Sequence, residues 1–160
     1  KLVKVHTNQF CIMPKIKFLL IALLLSVTIK AQTITKEQAT VQQTVINMFD
    51  ALSTRDSISL KVHCTADITL YEYGQVWNMD TLILKAIALN QSADFKRTNS
   101  FEFINTRVDK TTAWVTYRLK SVIIKDGKQT TVHWLETVVL VKAKKQWKIK
   151  HLHSTRTKIS

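Results

Sequence analysis

Two histidines, His151 and His153, stand one residue apart in the segment "WKIKHLHSTR" at positions 147–156. Imidazole titrates at about 6.5, so such a pair could move protons near neutrality, and residues two apart on a strand share a face. Glu136, Tyr117 and Trp134 are the side chains that the fold would have to bring beside them for a carboxylate-oriented acid/base cluster. A metal centre would need a further donor, and none stands at usable spacing, so no metal is expected. The chain also lacks a serine elbow, a glycine-rich phosphate loop and a cysteine pair. Hydrolases, nucleotide enzymes and zinc ribbons are thereby disfavoured, and no cofactor is expected.

The elements that must position these groups are legible in the residue pattern. Thr35 and Gln38 have capping-box spacing, and Val41, Val45, Met48, Phe49 and Leu52 recur on one helix face, predicting a helix that ends near 53–56. "DSISLKVHC" alternates like a strand but is taken as a short helix, on grounds given below. "DITLYEYG" predicts a strand ending at Gly74, and "MDTLILKAIALNQS" a helix capped by Asp80 that buries Leu82, Ile83, Ala86, Ile87 and Leu89. Four β-branched and aromatic stretches follow, "FEFINTRV", "TAWVTYRLKSVII", "TTVHWLETVVLV" and "WKIKHLHST". Helices followed by an antiparallel meander make the chain α+β.

Register then predicts which side chains meet. A two-residue turn at Asp126-Gly127 sets Tyr117 opposite Glu136, Leu119 opposite Trp134 and Val115 opposite Val138, on the face that helices should cover. A two- or four-residue turn around Lys144 and Lys145 sets Leu140 opposite Ile149, Val138 opposite His151 and Glu136 opposite His153. Trp147, Ile149, His151 and His153 would then share the inner face with Trp134, Glu136 and Tyr117, lining one end of an apolar pocket. The opposite face would carry Leu135, Val139 and Val141.

The N-terminal region has a different character. From Met13, "MPKIKFLLIALLLSVTIKAQ" runs basic, apolar, then small, the order of a secretory signal peptide cleaved after Ala31. Its apolar run is short of the roughly 20 residues of a transmembrane helix, so no stable membrane insertion is expected after cleavage. Residues 1–12 are taken as an upstream extension, 13–31 as the signal peptide and 32–160 as a single domain, exported to the periplasm or secreted. Five of the 24 basic residues lie before residue 32, which leaves 19 against 11 acidic ones, a formal charge of about +8. These charges are scattered rather than gathered between aromatics, so no nucleic-acid partner is expected. Cys64, the one cysteine of that domain, reads as a small buried hydrophobe.

"ALSTRD", "HCTADITLYEYG", "AWVTYRL" and "ETVVLVKAKKQWKIKHLHS" occur in an order and spacing that resembles the nuclear transport factor 2-like superfamily, with its SnoaL-like polyketide cyclases and ketosteroid isomerases. More narrowly, the chain is similar to the association domain of calcium/calmodulin-dependent kinase II and its bacterial relatives. The resemblance covers about residues 40–156. It implies a cystatin-like roll: a cone-shaped, curved antiparallel sheet with N-terminal helices on its concave face, a cavity between them, and a short second helix at "DSISLKVHC". Association domains carry arginines into that pocket, but the resemblance puts Leu119 and Val138 at the corresponding positions here, so the expectation is against an anionic ligand.

Three functions remain open at this stage. The first is an exported, non-enzymatic domain that binds a small, largely apolar molecule through Tyr71, Trp77, Tyr117, Trp134, Glu136, His151 and His153, and forms a homodimer through the outer sheet face. The second is a cofactor-free isomerase, dehydratase or cyclase with His153 or Glu136 as base and Tyr117 as proton donor. The third is an assembly module whose pocket is filled or idle.

Overall fold

The first helix begins at its cap. Thr35 Oγ1 accepts from the Gln38 N–H at 3.2 Å while Gln38 Oε1 accepts from the Thr35 N–H at 2.8 Å, which satisfies two donors that a helix start leaves without partners. Helix α1 (Lys36–Thr54) buries Val41, Val45, Met48, Phe49 and Leu52 along one face, and Arg55 ends it in the left-handed region at φ 59. Asp56 then caps α2 (Ser57–His63) by accepting from the Ile58 and Ser59 N–H groups. The computed structural model describes residues 34–158; the expected signal peptide and the extension before it lie outside the described residues.

The chain continues through β1 (Cys64–Glu72), β2 (Gln75–Trp77) and α3 (Met79–Ile83), which runs on as a π-helical turn over Leu84–Ala88. Asn78, rather than Asp80, caps α3 by accepting from the Thr81 N–H, and Leu89 is exposed rather than buried. Four long strands complete the domain: β3 (Lys96–Asp109), β4 (Thr112–Lys125), β5 (Lys128–Ala143) and β6 (Gln146–Thr157).

These strands form one open sheet in the order β2-β1-β6-β5-β4-β3. All neighbours are antiparallel except β1 and β6, which run parallel, so the sheet is mixed where an antiparallel one was expected. The parallel pair brings the end of β1 beside the end of the last strand. Helical residues such as Val45, Met48, Leu60 and Leu82 cover the inner face and share one core with Leu70, Val115, Leu119, Val138, Ile149 and Leu152. Burial of each such side chain contributes roughly 1.5–3 kcal/mol before entropy is counted.

Both hairpin turns have the expected length. Asp126 and Gly127 lie at φ 53 and 70, and Tyr117 pairs with Glu136, Leu119 with Trp134 and Val115 with Val138. Lys144 and Lys145, at φ 49 and 70, form the second two-residue turn, and Leu140 faces Ile149 as the sequence predicts. Beyond that point the register shifts. Lys150 is an extra residue, so that Val139 pairs with His151, Val138 with Leu152, Thr137 with His153 and Glu136 with Ser154.

A bulge of one residue reverses the parity of everything after it. Leu152 and Ser154 therefore face the helices, and His151 and His153 face outward. The exchange has an energetic reason: a regular strand would have put Leu152 in water and two imidazoles in the core without assured partners. Lys150 itself forms an ion pair with Asp67, in the stretch where β1 is also irregular against β6.

Candidate functional site

On the inner face, a cavity of about 230 Å³ opens between the sheet, α1 and the α3 segment. Met48, Phe49 and Leu52 of α1, Leu82 and Ala86 of the α3 segment, and Leu70 and Leu152 of the sheet give it apolar walls. The volume is below the ~300–1,000 Å³ that holds drug-sized ligands, so the space suits a compact molecule. Into these walls the strands insert three charged groups: Glu72 at the end of β1, Arg97 on β3 and Glu136 on β5. Lys85 stands among the lining residues too, with Nζ 4.9 Å from the centre of the Trp77 ring.

Glu136 is 3% exposed and has one firm hydrogen bond, from Ser154 Oγ to its Oε1 at 2.8 Å. Its Oε2 and the hydroxyl of Tyr117, its cross-strand partner, are both buried without a partner of full hydrogen-bond geometry. The two side chains are close enough to act on each other's titration while their geometry falls short of a full hydrogen bond. Burial raises the Glu136 carboxyl above its ordinary range, against the hydroxyls of Tyr117 and Ser154 and the charge of Arg97. Burial, and next the Glu136 charge, push the Tyr117 phenol well up. Glu72 is pushed up to about 7, first by burial and then by the charge of Glu136, with Ser154 and Arg97 opposing. Two carboxyls thus share one low-dielectric wall, an arrangement in which a proton is retained near neutrality.

Arg97 is the third member. Its guanidinium lies 5.4 Å from the Phe49 ring centre and 5.8 Å from that of Trp134. Burial lowers its pKa, and Glu136 and Glu72 offset this from a distance.

The cluster expected from the sequence is only partly assembled. Trp77, Trp134 and Glu136 line the cavity, and Tyr117 lies buried on the same face as Glu136. Tyr71, His151 and His153 do not reach it; the Lys150 bulge and the parity of β1 put all three on the outer face. There the Tyr71 ring centre lies 4.8 Å from that of His151 and 6.0 Å from that of His153, and Thr69 Oγ1 is 2.8 Å from His151 Nδ1. A Glu136–His153 dyad is therefore not formed. Trp147 is buried but does not line the cavity, which is left unfilled.

The residues that sequence reasoning passed over are Glu72, Arg97 and Ser154. Parity could have found the first two. Glu72 follows the buried Ile68 and Leu70 at intervals of two, and Arg97 precedes Asn99, Phe101 and Phe103 in the same way. Ser154 could not be found without the bulge.

Comparison with known proteins agrees with this architecture. A family model described as a SnoaL-like domain matches residues 41–156. A search of curated protein sequences returns no match. Among solved structures, a ketosteroid isomerase-like protein from Erwinia carotovora atroseptica is similar with a TM-score of 0.64 at 16% identity, over 79% of this chain and 100% of that one. An NTF2-like protein from Cytophaga hutchinsonii gives 0.62 at 14% identity over 78% and 100% of the two chains. The association domain of C. elegans CaMKII gives 0.58 at 17% identity over 74% and 95%. At these identities the structures share the fold, and the family match carries the assignment. Sequence pattern, open α+β architecture and family match agree: this chain belongs to the SnoaL-like domain family.

Proposed function

We propose that the protein binds a small, largely apolar molecule in the cavity between sheet and helices, with the polar end of that molecule against Glu72, Arg97 and Glu136. The observation that supports this reading is the convergence of Glu72, Arg97 and Glu136 on one small, unfilled apolar cavity. Such a wall costs stability unless something uses it. Native mass spectrometry of the purified protein, with thermal-shift screening of small amphiphilic compounds on wild type and Trp134→Ala, tests it. A retained or stabilising compound lost in Trp134→Ala supports the reading. No retained compound and no shift across the screen overturns it.

Glu72 favours a second reading, cofactor-free proton transfer on the bound molecule by isomerisation, dehydration or cyclisation. A carboxyl near 7 at the cavity wall has both protonation states well populated at neutral pH, as a general base or acid requires. This puts the base at Glu72, with Tyr117 and Glu136 behind it, in place of His153. The fold likeness to a ketosteroid isomerase-like protein is compatible with this chemistry without assigning it. Hydrogen–deuterium exchange at carbon in small ketones, followed by NMR, tests it: exchange abolished in Glu72→Gln supports it, and equal rates in both proteins overturn it.

We also propose that the domain is exported and that two copies pair through the outer sheet face. Exposed Trp114 and Leu135 lie there, with Val139 and His151 beside Trp114 across the strands. The fold is shared with an association domain. Light scattering tests pairing, and a monomer at high concentration overturns it; cell fractionation tests export.

A further inference from the structure

The cavity holds a cation that the fold does not neutralise by contact. Arg97 Nε donates to Asn99 Oδ1 at 3.0 Å and Nη2 to Ser121 Oγ at 3.2 Å. Ser121 Oγ in turn donates to Asn99 Oδ1 at 2.6 Å, and Asn99 Nδ2 to Ser53 Oγ on α1 at 2.8 Å. The guanidinium is thereby fixed between Phe49 and Trp134 by neutral acceptors alone. The ion pairs among the described residues join Arg118 to Glu102, Lys142 to Glu37 and Lys150 to Asp67, and none includes Arg97. Its Nη1 donates to no described residue. A partly buried charge held only by neutral acceptors is unfavourable unless a counter-charge completes it.

The neighbouring carboxyls do not supply that contact. Glu72 and Glu136 line the same cavity, yet neither brings a carboxylate oxygen within 4.0 Å of an Arg97 nitrogen. Burial, and next the charge of Glu136, leave Glu72 partly protonated near neutrality. With Lys85 at the rim donating to Gln75 Oε1 and to no carboxylate, the lining carries more positive than negative charge whenever Glu72 is protonated. Leu119 and Val138, the positions expected to correspond to the family's pocket arginines, are core side chains. The cation here comes from a different place, the first residues of β3.

We propose that Arg97 receives the carboxylate of a compact monoacid with an apolar body, and that Glu72 takes up a proton as the acid binds. The body lies against Phe49, Trp134 and Leu52, and Nη1 of Arg97 meets the carboxylate as a charge-assisted donor. An anion beside Glu72 makes its ionised form still less favourable, so binding weakens as pH rises through about 7. This inference rests on the cavity being a binding site, as proposed above.

Calorimetric titration of the purified protein at pH 6 and pH 8 tests it, with benzoate and cyclohexanecarboxylate as acids and benzamide and cyclohexanol as neutral counterparts. Buffers of different ionisation enthalpy report proton uptake. At pH 6 each acid is expected to bind about tenfold or more tighter than its neutral counterpart with little proton exchange, and at pH 8 to bind more weakly, by up to about tenfold per pH unit above 7, with net proton uptake. Glu72→Gln is expected to keep the preference for the acid and lose the pH dependence. Arg97→Gln is expected to lose the preference while the neutral probes still bind. Equal or tighter binding of the neutral probes, or an unchanged pH slope in Glu72→Gln, overturns the inference and leaves the cavity reading intact. Failure of all four probes to bind overturns the inference, and the native mass spectrometry and thermal-shift screen above then decides the cavity reading. The wild-type comparison and Glu72→Gln decide the matter even if Arg97→Gln does not fold.

Discussion

Ser154 Oγ on β6 donates to Glu136 Oε1 on β5 at 2.8 Å, and both side chains are buried. That hydroxyl is the firm donor to a carboxyl whose other oxygen lacks one. Ser154→Ala is expected to lower unfolding free energy by about 1–3 kcal/mol, because a buried charged acceptor loses its donor while little volume changes. Urea denaturation at pH 7 measures this; a loss near zero would mean that water or Tyr117 replaces the bond.

Glu72 gives stability a pH dependence opposite to the common carboxylate case. Its carboxyl goes from an ordinary 4.5 in the unfolded chain to about 7 in the fold. Between these values the folded state holds the extra proton, so this contribution is full below about 4.5 and is lost as pH rises through about 7. Thermal denaturation from pH 4 to 8 should show that falling limb superimposed on other titrations, and Glu72→Gln should flatten it.

The two sides of the last strand should respond oppositely to truncation. Leu152 is 1% exposed and belongs to the core, so Leu152→Ala is expected to cost about 2–5 kcal/mol. His153 is exposed on the outer face, and His153→Ala should stay within about 0.5 kcal/mol and leave any ligand binding unchanged. The reverse order of effects, by chemical denaturation, would show that Lys150 is not the bulge.

Trp114 and Leu135 are each 41% exposed on the outer face. If two copies pair there, Trp114→Arg should shift the light-scattering mass from dimer to monomer with little change in melting temperature. An unaltered dimer would place the interface elsewhere.

Cys64 is buried, and desolvation pushes its thiol up to about 12. A thiolate-directed reagent should therefore not modify it in the folded protein at pH 8, and should react promptly once denaturant unfolds the chain. Fast labelling under native conditions would mean that the start of β1 opens locally.

Much of this fold is legible because its local signals agree. The Thr35–Gln38 box, the recurring buried face of α1 and the Asp126-Gly127 turn each act through a few neighbouring residues, and each dictated what is seen. The helix over 57–63 was not legible from alternation, and its Asp56 cap was the local cue that mattered. The site was half legible. Glu136, Tyr117 and Trp134 follow from one well-fixed hairpin, whereas inward histidines follow only from a regular last strand, and this one carries a bulge. A bulge leaves little mark in composition; here it is set by the burial of Leu152 and by the pairing of β6 with β1, a contact between distant parts of the chain. Glu72 arrives beside Glu136 through the same long-range pairing.

Lys150 also sets what kinds of change the last strand can absorb. A substitution at 151 or 153 alters only the outer face, and one at 152 or 154 only the interior, so the two can diverge separately. A change of length is different. Adding or removing one residue between the Lys144-Lys145 turn and Ser154 would move every later side chain to the wrong side at once, so this strand is open to point replacement and closed to single insertions and deletions.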